Sequence, residues 1–266
     1  MWLGKRRACR ALATAAGLAV SILASHSAPA RAEKVDIELV LAIDVSGSVD
    51  PVEARLQRQG YLKALTDPAI VKAMTSGPLR KVAVTYVEWA GSHYQIVIVD
   101  WTVIRNAKDA TRFISRLQES PPTRERWTSI SGAIDFAMQR FKVNPHKGER
   151  RVIDISGDGI NNSGGPLEDA RRDAIKAGVT INGLPIVNDR PNPWGGPPTR
   201  NLDKYYAQNV IGGMGSFIVV AKGFEAFGQA IRHKLLMELS GTPGTCGFRG
   251  GRVWVCERQH AEGSVY

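Results

Sequence analysis

Apolar runs of strand length alternate along this chain with segments whose apolar residues recur every three to four positions. The strand-like runs are residues 37–43, 82–89, 95–101, 152–155, 179–186 and 217–220. The helical patterns cover about 52–73, 107–117, 130–141, 166–177 and 224–239. Period-2 or continuous apolar runs interleaved with period-3.6 segments predict an α/β fold. The expected sheet has about six strands, is mostly parallel, and carries helices on both faces. One connection departs from this scheme. Only residues 90–94 separate the second and third strands, too few for a crossover helix, so these two must form an antiparallel hairpin. Such a strand is expected at a sheet edge.

The N-terminal segment has a different pattern. Lys5, Arg6, Arg7 and Arg10 precede the apolar run 11–24, and Ala30-Arg31-Ala32 supplies small residues at a cleavage position. This reads as a secretory signal peptide over residues 1–32. The run is shorter than the roughly 20 apolar residues of a membrane-spanning helix, and no later segment is a better candidate. The mature chain is therefore expected to have no transmembrane segment and to be exported, periplasmic or extracellular. Arg6-Arg7 leaves the twin-arginine route open beside the general secretory one. Residues 33–240 read as one domain, with no internal repeat and no linker between halves, followed by a tail over 241–266. The irregular stretch 188–200, rich in Pro and Gly and containing Trp194, reads as a surface loop.

The formal charge of +10 overstates how basic the mature chain is. The signal carries five basic and no acidic residues, so 30 basic and 25 acidic residues remain, a balance of +5. With no clustered Lys/Arg stripe and no interleaved aromatics, a nucleic-acid partner finds no support. Of three cysteines, Cys9 leaves with the signal. Cys246 and Cys256 are left as a pair in an oxidising compartment, where a structural disulfide is expected. The segment reads as a hairpin turning at Gly250-Gly251. A three-residue loop at 250–252 would set the cysteines opposite each other; a two-residue loop would oppose Cys246 to Val255.

Chemistry-bearing residues fall at three junctions. The first strand ends in Asp44-Val45-Ser46-Gly47-Ser48, ahead of a helix start marked by Asp50-Pro51. Thr128 stands at the start of an amphipathic helix, where its hydroxyl would otherwise serve as an N-cap. Asp158 follows the fourth strand in Ser156-Gly157-Asp158-Gly159, a sequence that would also suit a plain turn. Ligands of open α/β sheets sit beyond the carboxyl ends of strands, so Asp44 and Asp158 converge if their strands are neighbours.

In that order and context, Asp44-x-Ser46-x-Ser48, Thr128 and Asp158-Gly159 resemble the metal-ion-dependent adhesion site of von Willebrand factor A domains. The resemblance runs from residue 37 to about 239. It implies a Rossmann-like fold and one divalent cation. Hydroxyl oxygens would come from Ser46, Ser48 and Thr128, with Asp44 and Asp158 binding directly or through water. Ser156-Gly157 departs from the pattern, where an apolar residue and Thr are commoner. Within the superfamily, Tyr86-Val87-Glu88-Trp89-Ala90-Gly91, residues 151–159, residues 180–185 and Val210-Ile211-Gly212-Gly213 resemble a proteobacterial family of secreted proteins whose name records only that its function is unknown.

An all-oxygen ligand set suits Mg²⁺, Mn²⁺ or Ca²⁺ rather than zinc. A cation held largely by neutral hydroxyls keeps charge to offer an anionic oxygen, so the expected partner is a protein presenting a carboxylate. A binding module is the leading expectation. A metal-independent scaffold or sensing factor, or a metal-dependent hydrolase with Glu88 or His93 as general base, are the alternatives. Glu88, Trp89 and His93 are candidates for the rim of the site, although a Trp packed at a sheet edge with solvated polar neighbours explains them as well. Asp154 lies inside an apolar strand and needs partners, which Arg151 or a helix start would supply. Asn161-Asn162-Ser163 formally matches a glycosylation acceptor but reads better as turn chemistry.

Overall fold

The structure is a computed structural model. It describes residues 32–121, 123–190, 198–240, 247–249 and 253–257. The signal segment, Trp194 and Cys246 lie outside the described residues.

Six strands form the expected sheet: β1 (Lys34–Asp44), β2 (Val82–Trp89), β3 (Gln95–Ile104), β4 (Lys147–Gly157), β5 (Val179–Val187) and β6 (Phe217–Lys222). Their order is β3-β2-β1-β4-β5-β6, parallel except for β3, which pairs antiparallel with β2 at the edge. The tail adds two further strands, β7 (Gly247–Arg249) and β8 (Val253–Glu257), with β8 antiparallel to β6. Phe248 pairs with Trp254, and Arg249 with Val253. That register belongs to a three-residue loop rather than a two-residue one.

The helices are α1 (Pro51–Thr66), α2 (Pro68–Met74), α3 (Ala107–Glu119), α4 (Ile130–Val143), α5 (Leu167–Lys176), α6 (Leu202–Tyr205) and α7 (Phe227–Ser240). The pattern over 52–73 predicts one helix, but the chain breaks it at Asp67-Pro68. Pro68 lacks an N–H and pushes Asp67 out of the helical region, so Asp67 ends α1 and caps α2 by accepting from the Ala69 N–H. A short π-helical turn, Tyr206–Val210, follows α6.

β1 is buried almost throughout because both sheet faces are covered. Ile37, Leu39, Leu41 and Ile43 pack with Tyr61, Leu65, Phe113, Phe227 and Leu235 on the α1, α2, α3 and α7 side. Val40 and Ala42 pack with Ile130, Ile134, Leu167 and Ala174 on the α4 and α5 side. The period of two along β1 thus sorts its side chains between two apolar layers. Asp154 of β4 points into the first layer. Its partner there is Lys234 of α7 and not Arg151, whose guanidinium donates to the Ala177 carbonyl at the end of α5.

Candidate metal centre

β1 and β4 are adjacent and parallel, so the turns that follow them open on the same edge of the sheet. The turn after β1 is fixed locally. Asp44 Oδ1 accepts from the Ser46 N–H at 2.7 Å, and the Val49 N–H donates back to the Ser46 carbonyl at 3.0 Å. The helix behind it is fixed by a reciprocal cap. Asp50 accepts from the Glu53 N–H at 2.9 Å, and the Glu53 carboxylate accepts from the Asp50 N–H at 2.9 Å. Gln57 of α1 reaches back and donates to the Asp44 carbonyl at 2.9 Å.

These constraints bring three oxygen-bearing side chains together. Ser46 Oγ lies 3.0 Å from Ser48 Oγ, and Ser48 donates to Asp158 Oδ1 at 2.5 Å. Thr128 comes from a third segment. The space a Cβ would fill at Gly159 lies 3.2 Å from Thr128 Oγ1, so the Asp158-Gly159 turn sits directly against that hydroxyl. Thr128 is not the helix cap. Ser129 caps α4 by accepting from the Gly132 N–H at 3.1 Å, which leaves the Thr128 hydroxyl without that structural duty. The Thr128 backbone is clamped by Asn162, whose side chain accepts from its N–H while its N–H donates to the Thr128 carbonyl, each at 2.8 Å. Asn161 similarly accepts from the Ser131 N–H at 3.0 Å. The Asn-Asn-Ser stretch therefore does more than turn the chain: it ties the loop after β4 to the start of α4.

Burial decides the electrostatics. Asp44 is wholly buried, and its Oδ2 has no hydrogen-bond partner. Burial first, and the neighbouring Asp158 charge second, push the Asp44 carboxyl up to about 8. Burial also pushes Asp158 up to about 6, against the Ser48 hydrogen bond that opposes the shift. A buried carboxylate oxygen without a donor is costly unless a proton or a cation comes to it. Hydroxyls, carboxylates and an unpartnered buried oxygen form the donor set that a hard divalent ion takes. Among the described residues no three His, Cys, Asp or Glu side chains gather in metal-holding geometry, so a cation here would have to rely on the hydroxyls.

Gly157 accounts for the departure from the usual pattern. A Cβ at that position would lie 2.7 Å from Asp44 Oδ2 and 2.8 Å from the Tyr206 hydroxyl. The missing side chain admits both groups to one space. Tyr206 is a member of the site that sequence reasoning does not find. It is fully buried, its hydroxyl is unpartnered, and burial with the Asp44 and Asp158 charges pushes its pKa above the usual phenol range. A π-helical turn leaves no readable periodicity, and such turns are frequent at functional sites.

The candidate rim residues separate. His93 is exposed in the β2–β3 turn. Glu88 and Trp89 are not on a rim. Trp89 is fully buried between β1 and β3, not at a sheet edge, and packs with Ile130 and Leu167. Glu88 pairs with Arg58 of α1 in the interior and accepts from the Thr123 hydroxyl at 2.6 Å. Arg58 in turn donates to the carbonyls of Leu117 and Ser120 at 2.7 and 2.9 Å. This pair is structural, joining α1, β2 and the end of α3. Residues 124–127 run beside the serine turn, with Glu125 bridged to Ser46. Arg124 donates to the Gly47 carbonyl at 2.8 Å, and Gly47, Arg124, Glu125 and Arg126 line a depression of about 290 Å³. Trp127 follows with a left-handed backbone (φ 66°) and 66% of its surface exposed, an unusual conformation for a bulky residue.

The sheet order, the antiparallel edge strand and the helices on both faces define a von Willebrand factor A-type domain. The chain belongs to the family described as "protein of unknown function (DUF1194)", whose model matches residues 34–243. No curated protein matches the sequence. Among solved structures, the fold is similar to the conserved hypothetical protein BatB from Bacteroides thetaiotaomicron, with TM-score 0.52 and 19% identity over 77% of this chain and 100% of that one. It is also similar to a von Willebrand factor type A protein from Catenulispora acidiphila, with TM-score 0.53 and 13% identity over 77% of this chain and 43% of that one. The pilus adhesin SpaC from Lactobacillus rhamnosus GG gives TM-score 0.56 and 14% identity over 77% of this chain and 31% of that one. Identities this low speak for the fold alone. Among the described residues no helix is long and apolar enough to cross a membrane.

Proposed function

We propose that this protein is an exported binding module of the cell envelope that engages a protein partner through a divalent cation. Asp44, Ser46, Ser48, Thr128 and Asp158 would hold the ion, which is Mg²⁺, Mn²⁺ or Ca²⁺. The observation that carries this reading is the buried, unpartnered Asp44 Oδ2 beside two serine hydroxyls and a second carboxylate. The ion would supply a positive charge that recruits an anionic oxygen, and a carboxylate on the partner meets that demand. This chain's residues position the contact. The Gly47 to Arg126 depression lies beside the serine turn, and Trp127 offers an exposed aromatic of the kind that anchors protein interfaces. The similarity to a pilus adhesin agrees with an adhesion or assembly role outside the cytoplasm.

A hydrolase reading loses one of its two general-base candidates, because Glu88 is engaged by Arg58 and Thr123. A metal-independent scaffold is the reading to separate experimentally. Capture of partners from envelope extract, with and without chelator, tests it. The proposed function expects chelator-sensitive binding that also falls when one acidic residue of the partner is made an amide. Unchanged binding by protein shown to be metal-free would overturn the metal-dependent reading and leave the scaffold.

A further inference from the structure

We propose that Lys234 and Asp154 are an autocatalytic cross-linking pair, which condense to an intramolecular amide that staples α7 to β4. Lys234 Nζ lies 2.5 Å from Asp154 Oδ1 and 2.6 Å from Glu238 Oε1. All three side chains are essentially without solvent contact. Lys234 Nζ thus sits at ion-pair distance from Asp154 in a site closed to water, and the Asp154 carboxyl has no neutral donor competing for it. An amine held this close to a carboxyl group is placed for attack on the carbonyl carbon once it gives up its proton.

The surroundings supply the rest. Two carboxyl groups face one amine, so the cluster is neutral only when one carboxyl carries a proton. Burial, reinforced by the Glu238 charge, pushes the Asp154 carboxyl up to about 8, which retains the protonated, electrophilic form near neutral pH. Glu238 is itself oriented: Asn182 donates to its Oε1 at 3.1 Å while accepting from the Phe217 N–H at 2.9 Å. The Phe217 ring covers the amine, 5.6 Å from its centroid. In the reaction the Lys234 Nζ–Asp154 Cγ bond forms and a Cγ–O bond of Asp154 breaks. Glu238 first takes one proton from the Lys234 ammonium, which frees the amine to attack. As the C–N bond forms, the nitrogen gives a second proton to the departing Asp154 hydroxyl, which leaves as water, and Glu238 is left protonated. The Lys234 ammonium and the Glu238 carboxylate are neutralised together, so no net proton, oxidant or further reactant is needed. The product exchanges a buried ion pair, whose desolvation is costly, for a neutral amide.

Peptide mapping by mass spectrometry of the reduced full-length protein, purified from its export compartment, tests this. The expected result is a branched peptide, one water lighter than its two parts, that joins the segment holding Asp154 to the segment holding Lys234. Lys234→Met and Glu238→Gln should each abolish the branch, with near-ultraviolet circular dichroism reporting whether each variant is folded. Unlinked peptides in folded wild-type protein would overturn the proposal, and that measurement stands even if both variants fail to fold. A linked peptide in Glu238→Gln would overturn the proton-transfer role given to Glu238.

Discussion

The Ser48 hydroxyl donates to the Asp158 carboxylate across 110 residues of sequence, closing the turn after β1 onto the turn after β4. The contact can form only because β1 and β4 are parallel neighbours whose carboxyl ends share one edge. Ser48→Ala removes both an oxygen of the cluster and the bond that orients Asp158. The expected loss of divalent-metal affinity is about 10- to 100-fold, read by calorimetric titration, with the fold retained.

Thr128 and Ser129 are adjacent but should separate in their effects. Ser129 caps α4, so Ser129→Ala should cost about 1 kcal/mol of stability in urea denaturation. Thr128 has no cap to lose. Thr128→Ala should leave the denaturation midpoint nearly unchanged while weakening metal binding. The reverse pattern would assign Thr128 to structure alone.

Glu88→Ala should destabilise the protein by about 3–5 kcal/mol, because it leaves the Arg58 guanidinium buried without its carboxylate. Urea denaturation measures this directly. A loss under about 1 kcal/mol, the range of exposed pairs, would show that the pair behaves as a surface salt bridge.

Much of the fold can be read from the sequence because it depends on local chemistry. The β2–β3 hairpin follows from a linker too short for a helix, whereas the break at Asp67-Pro68 is hidden by an apolar period that runs on through 52–73. The five candidate ligands are legible because each stands at a strand or helix junction. What is not legible depends on pairing across the chain. Arg58 and Glu88 lie 30 residues apart, and each alone resembles a surface charge. Lys234 and Glu238 have the i, i+4 spacing of a solvated helix pair, yet the packing of α7 on the sheet buries both. Tyr206 reaches the site through a π-helical turn that no apolar period announces.

Cys246 and Cys256 are expected to be disulfide-bonded in the exported protein. They are the two cysteines left once residues 1–32 are removed, and Cys256 lies in β8 while Cys246 lies outside the described residues. Mass analysis of non-reduced peptides should find the two linked, and free thiols in exported material would contradict it.

The central claim is that Asp44 and its neighbours bind a divalent ion, and titration calorimetry of the metal-stripped protein with Mg²⁺, Mn²⁺ and Ca²⁺ tests it most directly. The account predicts one ion per chain, little preference for zinc, and loss of binding when Asp44 and Ser46 are both replaced by Ala. Those replacements remove three buried side-chain oxygens from the strand end and the turn after it while leaving the apolar layers on both sheet faces intact. A folded wild-type protein that binds none of these ions, or a double variant that binds as tightly as the wild type, would contradict the account.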